Sequence, residues 1–348
     1  MDVDAPIRDN ADSMPTIMET EAREAPAVAE RLVRAASAPL RALGARLCAA
    51  PPRFAVTAGR GSSGAAALLA KYLIEARLGL PVASAAPSLQ SVYGRSLALD
   101  DALLLVVSQS GRSPDLIEVC RSAHGHNLLR VGFINAPDAP LAQHVDVCIP
   151  LQAGPERSVA ATKSCLAAMT MVLGLVAHWS EDAGMIAAFE RTPDILADAL
   201  ARDWPSDFLG GDGPVYVVGR GPGLAFAKEA ALKLKETNGL FAEALSAAEI
   251  RHGPLALVGP ALRIIVFAQR DAAFESQCAL AAELEGQGAR VLLVASGNGA
   301  FRVKPDPEPV LELMSMLLGF YLMASDAAVR RGRSPDAPPM LSKVTETR

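Results

Sequence analysis

Short apolar runs alternate with stretches of helical period along most of this chain. Residues 53–57, 103–107, 128–134 and 145–149 read as strands with few polar interruptions, the pattern of strands covered on both faces. Turns rich in glycine and serine follow two of them. Gly59-Arg60-Gly61-Ser62-Ser63-Gly64 leads into a predicted helix over 65–77, and Ser108-Gln109-Ser110-Gly111 leads into one whose start is marked by Ser113 and Pro114. Ahead of them, residues 16–48 read as helix interrupted near Pro26 and Pro39, after a disordered leader over 1–13. Continuous strands alternating with helices predict an α/β fold on a parallel sheet with helices on both faces.

The same order then returns. Val215-Tyr216-Val217-Val218-Gly219-Arg220-Gly221 repeats Ala55-Val56-Thr57-Ala58-Gly59-Arg60-Gly61, with Gly219 160 residues after Gly59. That offset also carries Gln109 onto Gln269, after the apolar run 263–267, and Arg130 onto Arg290. Two copies of one α/β unit, joined near residues 192–213, account for the coincidence. The copies differ where chemistry would sit. Ser62-Ser63 becomes Pro222-Gly223, Ser108 and Ser110 become Ala268 and Arg270, and Glu236 falls on Ala76.

Within the second copy, Ala227, Ala230, Ala231 and Leu234 have the spacing of a helix with one buried face, and Gly239 is a natural stop. Glu229, Lys233 and Glu236 fall on one side of it. Ser246 and Glu249 have capping-box spacing, which predicts a second short helix closed by His252-Gly253-Pro254, with His252 against the negative end of its dipole. The pattern fits a solvated Lys/Glu face followed by a capping histidine. It also fits a base and an acid on two anchored elements.

Composition narrows the class. The chain has 348 residues, 51% hydrophobic and 20% charged, with a formal net charge of -5, which suits a compact chain of two domains. Lysines and arginines are scattered, so no basic stripe points to nucleic acid or an anionic membrane. The five cysteines (Cys48, Cys120, Cys148, Cys165, Cys278) form no CxxC pair and suit reduced thiols of a cytoplasmic protein. The acidic amino terminus lacks the apolar core of a signal peptide, and residues 166–179 are too short to span a membrane and read as a buried helix.

Ser108, Gln109, Ser110 and Ser113 sit where a buried strand gives way to a helix, the edge at which open α/β sheets bind ligands. Unpaired N–H groups and hydroxyls there suit a phosphate monoester without a metal, although serine also caps ordinary turns. Gly61-Ser62-Ser63 is a second turn of the same kind. No full GxGxxG is present, so no dinucleotide cofactor is expected, and His124 and His126 lack a third metal ligand and read as an exposed loop. His144 and His178 read as structural. Residues 156–163 open a further predicted helix that either lines the same pocket or is a polar cap. Lys343 follows a proline-rich stretch, 335–339, and is either a solvated tail residue or folded back into a cleft.

Five motifs together carry a resemblance: SQSGRSPD (108–115), VAATK (159–163), EAALKLKE (229–236), AEIRHGPLAL (248–257) and LSKVTE (341–346). With them the chain resembles tandem sugar isomerase (SIS) domain proteins, from about residue 53 to 343, and is similar to the isomerase half of glutamine–fructose-6-phosphate aminotransferase. The resemblance implies two doubly wound SIS domains over 49–192 and 193–335, after a leader and helix over 1–48, with a tail over 336–348 closing the active site. It implies that Gly61, Ser62, Ser63, Ser108, Gln109, Ser110, Ser113, Val159 and Ala161 hold a sugar phosphate. Glu236 would move a proton between C1 and C2, His252 would open the ring, and Lys233 and Lys343 would line the reacting end. It further implies a homodimer in which the histidine enters from the neighbouring subunit, and neither cofactor nor metal.

Departures refine the expectation. Asp2 follows Met1 and the leader is too short for a glutaminase domain, so release of ammonia rather than its incorporation is expected. Ala161 stands where the aminotransferase has serine, and the tail after Lys343 is one residue shorter; both are similar to SIS-type glucosamine-6-phosphate deaminases. The altered tail leaves two roles open for Lys343, polarising the carbonyl oxygen or forming an imine. Galactosamine-6-phosphate deamination, fructosamine-6-phosphate cleavage, plain aldose–ketose isomerisation and a non-catalytic phosphosugar sensor are the alternatives.

Overall fold

Why the first helical stretch is two helices and not one is visible at Pro26. The computed structural model describes residues 14–297 and 301–343, so the leader over 1–13 and Val344–Glu346 of the tail motif lie outside the described residues. Helix α1 (Ile17–Arg23) is capped by Thr16, whose hydroxyl accepts the Glu19 N–H at 3.0 Å. Helix α2 (Ala25–Ala49) restarts with Pro26 in its first turn, where a missing N–H leaves nothing unpaired. The break expected at Pro39 does not occur. Val28, Leu32, Ala36, Leu40, Leu43 and Leu47 form one buried face of α2, and packing of that face outweighs the single hydrogen bond that Pro39 removes.

The first half then runs β1 (Phe54–Ala58), α3 (Gly61–Leu78), β2 (Val82–Ser84), α4 (Ser88–Ser91), β3 (Ala102–Ser108), α5 (Pro114–Ser122), β4 (Leu129–Ile134), β5 (Val147–Pro150), α6 (Lys163–Trp179) and α7 (Ala183–Leu200). The second runs β6 (Val215–Gly219), α8 (Gly223–Lys233), β7 (Ala242–Ser246), β8 (Arg263–Ala268), α9 (Phe274–Gly286), β9 (Arg290–Ser296), β10 (Phe301–Val303) and α10 (Pro309–Arg330). Each half holds five parallel strands, in the orders β2-β1-β3-β4-β5 and β7-β6-β8-β9-β10. These are the same winding, so the duplication read from the 160-residue offset is a duplication of topology. The short edge strands β2, β7 and β10 were not legible as strands. β7 also replaces the start of the expected capped helix: Ser246 ends that strand, its hydroxyl accepts from Arg220 Nη1 at 3.2 Å, and the chain goes on into a single 3-10 turn, Glu249–Arg251.

The residues expected to join the halves are not a slack linker. Thr192 is buried inside α7, which packs on α2, α6 and α10. Residues 192 and 193 therefore both lie within one helix. A continuous apolar cluster runs from Leu32 and Leu69 through Phe133 and Met169 to Phe226, Leu292 and Phe320, so the halves share a core. Helix α6 is buried along almost its whole length, as expected of residues 166–179. By length and composition α10 is apolar enough to cross a membrane, but 89% of its apolar window is covered by the rest of the chain. Gly44 shows how closely α2 and α6 meet: a Cβ there would lie 2.7 Å from the backbone carbonyl of His178.

Candidate active site

In a sheet wound 2-1-3-4-5, the connections leave β1 and β3 in opposite directions, and a crevice opens at their carboxyl ends. The loops after these two strands make one wall of a cavity of about 510 Å³, within the range that holds small ligands. After β3, the Ser108 hydroxyl accepts the Gly111 N–H at 3.0 Å and closes the turn. Gly111 has φ +62°, and a Cβ there would sit 2.6 Å from that of Ala139, so the turn requires glycine. Ser110 accepts the Arg112 N–H at 3.2 Å. Ser113 is the N-cap of α5 but its side chain makes no cap bond, and the residue lines the cavity. After β1, Gly61, Ser62 and Ser63 form the first turn of α3, and all three line the cavity.

The second half supplies the opposite wall. Helix α8 ends not in an α turn but in a π turn, Leu234–Asn238, terminated by Gly239 at φ +61°. Thr237 Oγ1 donates to the Lys233 carbonyl at 2.8 Å, and Asn238 Nδ2 donates to the Ala324 carbonyl at 3.0 Å, which holds the widened turn against α10. Lys233 and Glu236 face each other across it in a short charge-assisted hydrogen bond. Lys233 is fully buried, whereas Glu236 retains 20% of its side-chain exposure and opens onto the cavity. Behind them Glu229 lies 3.6 Å from Lys233 and accepts from Ser62 Oγ and Tyr321 Oη, both at 3.0 Å. Burial pushes the Glu229 carboxyl up to about 7, against the pull of Lys233. Burial alone would depress Lys233, but Glu229 and Glu236 outweigh it and hold the ammonium above its ordinary value.

Residues 156–161 and the tail make the third side. Glu156 is wholly buried and accepts the N–H groups of Thr162 (3.0 Å) and Ser164 (3.1 Å), the Ser164 hydroxyl (2.6 Å) and Lys343 Nζ (3.1 Å). Burial would raise its carboxyl, yet Lys343 and these donors together hold it below the usual value. Lys343 also donates to the Ser158 carbonyl at 2.6 Å. The tail thus folds back and lays Leu341, Ser342 and Lys343 along the cavity beside Val159 and Ala161.

The structure therefore brings Gly61, Ser62, Ser63, Ser108, Gln109, Ser110, Ser113, Val159, Ala161, Lys233, Glu236 and Lys343 to one hollow. It does not bring His252 there. His252 is exposed, outside the cavity lining, and comes after a three-residue 3-10 turn in place of the helix whose dipole was expected to act on it. Ser62 departs in a smaller way, since its hydroxyl is turned to the buried Glu229. Residues not singled out from the sequence are Arg60, which lines the cavity, its partner Asp115, and Tyr321. Arg60 stands inside a noticed motif and carried a signal; Tyr321 lies mid-helix in α10 and carried none.

Comparison with known proteins agrees with this architecture. The family model described as "SIS domain" matches residues 52–178 and 212–301. Glutamine–fructose-6-phosphate aminotransferase (isomerizing) of Aeropyrum pernix is 33% identical over 310 residues, covering 82% of this chain and 50% of that protein. The chain spans about half the length of such aminotransferase relatives. Among solved structures, a candidate phosphosugar isomerase from Silicibacter pomeroyi is 37% identical, with a TM-score of 0.85 over 92% of this chain and 100% of its own. A glucosamine-6-phosphate deaminase from Thermotoga maritima shares the fold, with a TM-score of 0.70 and 20% identity over 92% of this chain and 100% of its own.

Proposed function

Since the chain belongs to the SIS-domain phosphosugar isomerase family, we propose that it converts glucosamine 6-phosphate and water to fructose 6-phosphate and ammonia. One observation carries this reading: Glu236, braced by a buried ammonium, opens onto the same cavity as the serine turn at the switch point. Phosphate bound at Ser108–Ser113 and Ser63 anchors the sugar by a part that does not react, and so holds C1 and C2 over the carboxylate. His252 of a second copy opens the ring. Glu236 then takes the C2 proton as the C1 carbonyl becomes an enol, and returns the proton to C1. This leaves an imine at C2; water adds there, and ammonia departs with the C2–N electron pair.

Lys343, ion-paired yet still 23% exposed, supplies N–H donors to the oxygen at C1 as charge develops on it. Ala161 at the cavity wall, where the aminotransferases resembled by this chain have serine, supports release over transfer. Fructose 6-phosphate, named in the aminotransferase relatives, supports a hexose 6-phosphate as the sugar.

Ammonia released from glucosamine 6-phosphate by the purified protein, beside Glu236→Gln, tests the reading. General-base loss should lower kcat about 10²- to 10⁴-fold with KM little moved. If Glu236→Gln keeps most of its turnover, the base is elsewhere. Release from galactosamine 6-phosphate alone would retain the chemistry and reassign the epimer.

A further inference from the structure

We infer that Arg60 is a further anion-binding residue of this cavity, one that holds the phosphate end of the substrate and selects for it; the inference rests on the reading above. A phosphate monoester is close to a dianion at neutral pH. Serine hydroxyls and a helix N-terminus offer it only partial positive charge, about half an elementary charge for the helix. Of the three cations that line the cavity among the described residues, Lys233 and Lys343 stand with Glu236 and Glu156 at the reacting end. Arg60 stands at the cradle.

Its placement is built rather than incidental. Arg60 is the N-cap residue of α3, and its guanidinium reaches across to Asp115 in the first turn of α5. Arg60 Nε donates to Asp115 Oδ2 at 2.6 Å, and Nη2 lies 2.6 Å from the same oxygen. Asp115 is wholly buried and lies two residues after Ser113, so the contact fixes the guanidinium beside the N-terminus of α5, where the phosphate would sit. A buried carboxylate alone at that helix end would repel an incoming anion; paired with Arg60 it serves as a tether. Half of the Arg60 side chain remains exposed, which leaves part of its N–H fork open to the cavity.

The other copy provides a comparison within the same molecule. Arg220 occupies the equivalent place after β6, where Glu275 stands at the offset of Asp115, yet Arg220 donates to Ser246 instead. There Gln269 bridges the turn, its side-chain nitrogen donating to the Arg220 carbonyl at 3.0 Å and to Asp271 at 2.6 Å. The turn itself therefore does not impose the arginine–carboxylate contact; it occurs in the copy whose crevice is open.

Calorimetric titration of inorganic phosphate into wild type, Arg60→Met and Arg60→Lys, with KM and kcat for glucosamine 6-phosphate, tests the assignment. Losing a charge-assisted contact should weaken phosphate binding and raise KM about 10- to 100-fold in Arg60→Met. Because the contact is remote from the reacting carbons, the loss should fall more on KM than on kcat. Lysine keeps the charge but loses the fork, so Arg60→Lys should recover part of the affinity. Undiminished phosphate affinity in Arg60→Met, or a fall in kcat at constant KM, overturns the role of Arg60 while the proposed reaction stands. A wild type that binds no phosphate overturns both.

Discussion

The Glu229 carboxyl behind the site is raised by burial, and its effect on stability has a definite sign. Its ordinary value is 4.5 and burial lifts it to about 7, so over that range the folded chain keeps a proton that the unfolded chain has released. The stability this group confers is complete below 4.5 and is lost as pH rises through about 7. Glu229→Gln removes this dependence. Thermal unfolding of wild type and variant across this range should therefore show wild-type stability falling more steeply with pH, the gap levelling off above about 7. Parallel curves would mean that Glu229 titrates normally in the fold. The nearby Cys165 thiol and Tyr321 hydroxyl are both pushed well up by burial.

At the scale of elements, the tail is positioned by the start of the chain. Asp336 accepts the N–H groups of Ile17 (2.9 Å) and Met18 (2.7 Å) at the head of α1, and its carbonyl accepts the Val159 N–H at 3.0 Å. Glu21 of the same helix accepts the N–H groups of Arg157 and Ser158, and Lys163 pairs with Glu24 at 2.6 Å. Helix α1 thus clasps both the tail and the 156–161 wall against which Lys343 rests. Asp336→Ala should cost about 1–2 kcal/mol of tail docking, the usual loss for a helix cap. Faster amide exchange at residues 157–159 and a several-fold drop in turnover, with the main unfolding transition little moved, is the expected outcome. Unchanged exchange and turnover would show that the tail holds itself. The motifs of this region were legible in the sequence, whereas the clasp joins residues hundreds of positions apart and had no local signal.

For the molecule as a whole, duplication explains the division of labour. One winding appears twice; the first copy leaves its switch-point crevice open and lined by hydroxyls, while the second bridges the equivalent turn with Gln269 and turns its α8 terminus toward the first. Ser62 on α3 and Glu229 on α8 join the halves at that seam, with the shared core beneath. His252 is exposed and outside the hollow of its own chain, so the ring-opening role proposed for it calls for a second copy. Mixing inactive Glu236→Gln with inactive His252→Asn chains should then restore activity, because a mixed dimer has one site with both residues intact. Random pairing in a two-fold assembly gives about a quarter of wild-type turnover. No recovery after verified subunit exchange would place the ring-opening acid within the same chain.

Local pattern alone determined the central strands, the repeat at a fixed offset, the glycines of the tight turns and the place of Ser108–Ser113 at a strand-to-helix turn, because strand burial, turn geometry and helix capping act over a few residues. It placed Lys233 and Glu236 on one helical face. The tertiary structure decided everything that depends on distant neighbours: that α2 runs through Pro39, that residues 242–246 pair as a strand, that α8 ends in a π turn, and that Lys343 reaches Glu156 from the other end of the chain. Each of these rests on burial or on a partner far away in sequence, and neither propensity nor spacing encodes such a partner.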